Sequence, residues 1–242
     1  MNLVIDVGNT FVKFGIFDLE GLQYKKSCKK SDFLDVLNTI SSEFPNIQHV
    51  FMASVGDLDA FSLEKLGHHY TVMHLNQETN LPFDNKYSTP ETLGTDRIAL
   101  ISAAVQQFPN QNVLVIDTGT CITYDFVNSE TEYLGGAISP GLAMRYRALN
   151  SFTEKLPLLS CNMPKTMMGN STADSIHSGV VHGVLYEMER FIENYNCKFA
   201  GLKVVLTGGD ADFLHGSIKN DIFASSNFLL EGLNHILEYN IR

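Results

Sequence analysis

Apolar residues along this chain fall into two alternating periods. Residues 2–7 and 11–17 are dense in β-branched and aromatic side chains and read as two buried strands joined by a tight turn. A Gly21 turn leads into a third strand near 22–28, and Ser31 is the expected cap of a helix running to about Ser42. Val50–Ser54 reads as a short buried strand giving way to a loop at Ser54-Val55-Gly56, before a short helix near 57–66 and a strand near 71–75. Residues 76–94 hold Asn80, Pro82, Asp84, Asn85, Pro90 and Gly94 and follow neither period. They read as a long loop, which in a compact domain usually has a function. Thr95 is then placed to cap a helix through Ile98, Leu100, Ile101 and Val105.

From Val113 the pattern starts again. A strand and hairpin are followed by a third strand from Tyr133 to Ile138 and by helices near 140–150 and 172–195. A strand from Lys203 to Leu206 ends in Thr207-Gly208-Gly209-Asp210, and a final helix spans 228–239. Three strands followed by a helix, twice over, predict a duplicated α/β fold with domains at 1–110 and 111–242.

The first strand of each half ends on the same chemistry: Asp6-Val7-Gly8-Asn9-Thr10 and Asp117-Thr118-Gly119-Thr120. Glycine lets backbone amides approach an anion, threonine adds a short donor, and the aspartate can hold a cation that offsets phosphate charge. Lys13 on the second strand can reach the same phosphates. One such turn is ordinary hairpin chemistry. Two on matching strands point to a phosphate site between the halves.

Composition narrows the class. The chain has 242 residues, 44% of them hydrophobic, which is ample for a core. Its formal charge of -10 argues against general nucleic-acid or anionic-membrane binding. Asp6 interrupts the first apolar stretch, so no secretory signal is expected, and no run is long enough to span a bilayer. Cys28, Cys121, Cys161 and Cys197 are far apart and form no CxxC pair, so reduced thiols and a cytoplasmic location are expected.

Three further segments carry candidate chemistry. Gly94-Thr95-Asp96-Arg97 sets a carboxylate beside a guanidinium at a helix start; the aspartate is either a helix-dipole or capping residue or a base next to a cation that holds a polar substrate. Thr207-Gly208-Gly209 lets a flat or phosphorylated group approach the backbone, and Gly135-Gly136-Ala137-Ile138-Ser139-Pro140-Gly141 ends a strand before a helix. The pairs His68/His69 and His177/His182 lack zinc-helix spacing and read as surface or satisfied core residues. No Walker-type phosphate loop and no Gly-x-Ser-x-Gly elbow occurs.

The ordered set DVGNTFVK (6–13), GTDR (94–97), DTGTCITYD (117–125), GGAISPG (135–141), STADSIHSG (171–179) and TGG (207–209) resembles type III pantothenate kinases over nearly the whole chain. The resemblance implies two duplicated actin-like domains around a nucleotide cleft, as in the acetate and sugar kinase, heat-shock chaperone and actin superfamily. It implies transfer of phosphate from ATP, with Mg2+, to pantothenate, the first step toward coenzyme A. It makes Asp6, Val7, Gly8, Asn9, Thr10, Phe11, Val12 and Lys13 the ATP phosphate segment and Thr120 a second ATP contact, with Asp6 near magnesium. Asp117 becomes the ligand of a monovalent cation, potassium or ammonium, and Asp96 the general base. Tyr87, Gly94, Thr95, Asp96, Arg97 and Thr172 become pantothenate contacts, Thr172 across a homodimer interface. Ser171 stands where the family has asparagine, and Ser175 where it often has alanine. Another kinase or a phosphatase on the same fold, and a regulator that binds nucleotide without turnover, are the rival readings. Asp96 and Arg97, both present, speak for the enzyme.

Overall fold

The computed structural model describes residues 1–54 and 58–241 and divides into two compact units. The first comprises Met1–Pro109, Thr131–Tyr133 and the chain from Asn227 onward; the second comprises Asn110–Glu130 and Leu134–Ser226. Val55 and Gly56, where a loop is expected, lie outside the described residues, as does the first residue of the helix expected near 57–66.

In the first unit β1 (Asn2–Val7), β2 (Phe11–Asp18) and β3 (Gly21–Lys29) form an antiparallel meander. The helix α1 (Phe33–Glu43) leads to β4 (His49–Ser54), parallel to β1. Then α2 (Ala60–His69) leads to β5 (Val72–His74), parallel to β4, which gives the order β3-β2-β1-β4-β5. Phe33, Val36, Leu37 and Ile40 make one helical stripe that covers Leu3, Ile5, Phe14 and Ile16. Burying those four side chains is worth roughly 6–12 kcal/mol before conformational entropy is subtracted.

Two expected caps move by a residue. A 3-10 turn at Lys30–Asp32 precedes α1, so Asp32, not Ser31, holds the N-cap position, and the Ser31 hydroxyl donates to Asp32 Oδ1 at 2.8 Å. Thr95 is the first residue inside α3 (Thr95–Gln107), with Gly94 at the cap. Only α2 of these three helices has a side-chain cap, from Asp59, which accepts from the Ser62 amide at 2.9 Å.

The second unit repeats the plan. β7 (Val113–Thr118) and β8 (Cys121–Val127) form an antiparallel hairpin beside β9 (Glu132–Pro140). The helices α4 (Leu142–Ser151) and α5 (Thr172–Lys198) precede β10 (Lys203–Thr207), parallel to β7. A short α6 (Ala211–His215) and β11 (Phe223–Ala224), parallel to β10, complete the order β11-β10-β7-β8-β9. Both units thus run three strands, helix, strand, helix, strand, except that the second has two helices, α4 and α5, before its fourth strand. Inside the loop expected at 76–94 the chain makes one two-residue strand, β6 (Asp84–Asn85), which pairs with Glu132 and Tyr133 in the first unit.

Ser171 caps α5 by accepting from the Asp174 amide at 3.1 Å, so serine serves here as asparagine would. The α5 stripe of Ile176, Val180, Val184, Met188 and Ile192 lies in the core of its own unit. The last helix, α7 (Phe228–Ile241), lies in the second half by chain order but packs in the first unit against α3 and β1.

Candidate active site

The turn after β1 stands on a fully paired hairpin. Asp6 faces Lys13 in register, and the turn closes with the Gly8 amide donating to the Phe11 carbonyl at 3.0 Å. Pairing buries Asp6 while Asn9, Thr10 and Phe11 stay exposed at the tip. Burial pushes the Asp6 carboxyl up to about 6; the Lys13 ammonium, 3.8 Å away, pulls it down, and the Asp96 charge pushes it further up. Asp96, 90 positions from Asp6 in sequence, therefore acts on it inside the first unit.

The loop before α3 shapes the carboxylate of Asp96. Its Oδ1 accepts from the Arg97 amide at 2.8 Å, a self-cap of the first helical turn. It also folds over Gly94, where a β-carbon would push the carboxylate out of this position. Arg97 turns the other way and is buried. Its Nη2 donates to the Tyr133 hydroxyl at 2.8 Å, and its guanidinium lies 5.5 Å from the centre of the Tyr87 ring. The Thr95 hydroxyl is buried and has no hydrogen-bond partner among the described residues.

The turn after β7 is built differently. Asp117 pairs in register with Thr123 on one side and Thr207 on the other. The Thr118 hydroxyl donates to the Thr207 carbonyl at 2.8 Å, and the Asp210 amide donates to the Thr118 carbonyl at 3.0 Å. Gly208, at φ +100°, fits against the Asp117 carboxylate and the Thr118 amide, where no side chain has room. The Gly141 amide donates to the Thr120 carbonyl at 3.2 Å, so the start of α4 closes the other side. Thr120 is exposed at the tip. The buried Thr123 hydroxyl, cross-strand from Asp117, has no hydrogen-bond partner among the described residues. It is a donor-acceptor that a cation or water can use.

Thr172 is the first residue of α5 and is exposed. It lines a cavity of about 1140 Å³ in the second unit, together with Arg145, Leu149, Phe152, Leu156 and Ile176. Of the two histidine pairs, His177 Nδ1 bonds the Tyr146 hydroxyl at 2.8 Å, His182 Nδ1 bonds Ser178 at 3.1 Å, and His68 meets Glu64 on the surface. Among the described residues no three His, Cys, Asp or Glu gather as metal ligands. The structure thus brings Asp6, Lys13 and Asp96 together in one group, and Tyr87 and Arg97 in another. It adds two residues that sequence reasoning passed over, Thr123 and Tyr133. Tyr133 reads in sequence as a strand aromatic bound for the core; only the pairing of β6 with β9 reveals its neighbours.

A sequence model of type III pantothenate kinases matches residues 2–194. A type III pantothenate kinase from Christiangramia forsetii is 47% identical, covering 99% of this chain and 99% of its own length. Another, from Flavobacterium johnsoniae, is 46% identical over 100% and 99%. Among solved structures, a Campylobacter jejuni protein described as a Baf family transcriptional activator gives a TM-score of 0.65 at 24% identity, covering 99% of this chain and 98% of its own. A ROK family glucokinase from Streptomyces griseus gives 0.55 at 10% identity over 99% of each chain. These two likenesses carry the fold alone, the duplicated actin-like architecture seen in both units. The full-length identity to curated relatives carries more: the chain belongs to the type III pantothenate kinase family.

Proposed function

We propose a division of labour among the residues of this ATP-dependent pantothenate kinase. Asp96 orients the primary hydroxyl of pantothenate and takes its proton as the oxygen attacks the γ-phosphorus of ATP. The observation that carries this role is the nearness of Asp96 to Asp6: its charge raises a buried carboxyl beside the exposed tip of the first glycine turn. Positioning and charge neutralisation dominate phosphoryl transfer, and this arrangement supplies both. The amides and side chains of residues 6–13 hold the ATP phosphates, with Lys13 adding positive charge, and Thr120 makes a second ATP contact.

Magnesium bound with ATP would neutralise phosphate charge, and Asp6 is the carboxylate placed to hold it. The buried Asp6 carboxyl, raised to about 6, fits that task because a cation favours its ionised form. A single protein carboxylate suits magnesium, which keeps most of its ligands as phosphate oxygens and water. Asp117, with the unpartnered Thr123 hydroxyl across from it, has oxygen donors suited to a monovalent cation, potassium or ammonium. Tyr87, Gly94, Thr95 and Arg97 receive pantothenate. Thr172 reaches the substrate pocket of a second copy, so the working form is a homodimer. The cytoplasm is the proposed compartment, in keeping with four cysteines free of disulfides.

One experiment tests the catalytic and dimer assignments together. Asp96→Asn retains ATP binding and loses about 100- to 10,000-fold in pantothenate-dependent ADP release. Co-expressed with a Thr172→Ala chain, itself impaired, it regains activity through hybrid dimers that carry one intact site. Wild-type turnover of Asp96→Asn at neutral pH would remove the base from Asp96. A fully active monomer by light scattering would remove the shared pocket.

A further inference from the structure

We infer that Tyr133 is a positioning residue of the pantothenate pocket, setting Arg97 and Tyr87 in place from behind. The inference rests on the reading that Arg97 and Tyr87 contact pantothenate, and deepens it. Tyr133 is fully buried, yet its hydroxyl is not idle: it accepts from Arg97 Nη2 at 2.8 Å. Its ring stacks on Tyr87 with centroids 5.9 Å apart and planes at 25°. The same Tyr87 ring lies under the Arg97 guanidinium. One side chain therefore touches both residues and fixes the angle between them.

Tyr133 is itself held on three sides. The edge of Phe83 meets its ring at 6.1 Å and 70°. Its carbonyl accepts from the Lys86 amide at 3.0 Å. Its cross-strand partner is Asn85, whose Oδ1 accepts from the Tyr87 amide at 3.0 Å. The backbone and the ring of Tyr87 are thus both referred to Tyr133. This explains why the loop of residues 76–94 makes its one short strand where it does: β6 brings Tyr87 to the anchor. A phenol suits the task because it orients a guanidinium without adding a negative charge of its own.

Tyr133→Phe keeps the ring and removes only the acceptor, so its effect separates orientation from packing. The expected result is a rise of about tenfold in the KM for pantothenate, with kcat and the KM for ATP within about twofold of wild type. The thermal midpoint should stay within a few degrees of wild type. Arg97→Lys, measured alongside, raises the pantothenate KM by itself, and adding Tyr133→Phe to it changes little, because the oriented fork is already gone. An unchanged pantothenate KM in Tyr133→Phe, with Arg97→Lys impaired, would overturn the role of Tyr133 and leave Arg97 in the pocket. No effect of Arg97→Lys would overturn both. Equal losses for both substrates with a lowered thermal midpoint would make Tyr133 a packing residue only.

Discussion

The two Asp-Gly turns of this chain share a backbone plan and differ in what surrounds the aspartate. Asp6 sits among charges: Lys13 across the hairpin and Asp96 from the start of α3, with burial forcing the balance. Asp117 sits among backbone: Gly208 against its carboxylate, and the Asp210 and Gly141 amides bonded to its turn. Duplication supplied one loop twice. The first copy is tuned by side-chain electrostatics and the second by close packing, so substitutions in the two turns should fail in different ways.

The sharpest break of that contrast is Asp6→Asn. Activity should fall by about 100-fold or more, since the carboxylate proposed to hold the magnesium of ATP is gone. Stability should move in the opposite direction. Burial pushes the folded carboxyl from its ordinary 3.8 up to about 6, so its contribution to stability is full below about pH 4 and lost as pH rises through about 6. Asn removes that loss, and the variant should gain about 1–3 kcal/mol at pH 8, with a flatter profile between pH 4 and 6. Denaturant melts at the two pH values decide it; a destabilised variant at pH 8 would show that Asp6 is not under strain.

Gly208→Ala should do the reverse, harming the fold before the chemistry. A β-carbon there would lie 2.5 Å from the Thr118 amide nitrogen, at a φ of +100°. The expected loss is about 2–4 kcal/mol. The matching change in the first turn, Gly8→Ala, meets nothing nearer than the Phe11 carbonyl at 3.1 Å and should cost less. Equal midpoints for the two variants in thermal melts would erase the steric half of the comparison. The smallest effect belongs to Asp117→Asn, which should raise the potassium concentration for half-maximal activity by about tenfold while leaving the fold intact. Full activity in sodium or choline buffer, with no response to potassium, would remove the cation from the second turn.

Much of this was legible in the residues. The β-branched runs ending at Asp6 and Asp117 are continuously apolar and bounded by glycine turns, so strand and turn could be read directly. The caps at Ser31 and Thr95 were misplaced because several polar residues precede each helix and periodicity does not say which one stops being helical. β6 and β11, at two residues each, and α6, at five, are too short to show any period. Tyr133 was hidden for another reason. A buried aromatic in a strand is ordinary, and its significance lies in Arg97 and Tyr87, more than 30 positions away.

The return of α7 to the first unit inverts the order of manufacture. A ribosome finishes every residue of the second unit, through Ser226, before it has made the helix that the first unit lacks. Until then the faces of α3 and β1 that pack against α7 stand uncovered on the nascent chain. The half that carries Asp96 is therefore begun first and completed last, and it is the half most exposed to chaperones and to aggregation during synthesis.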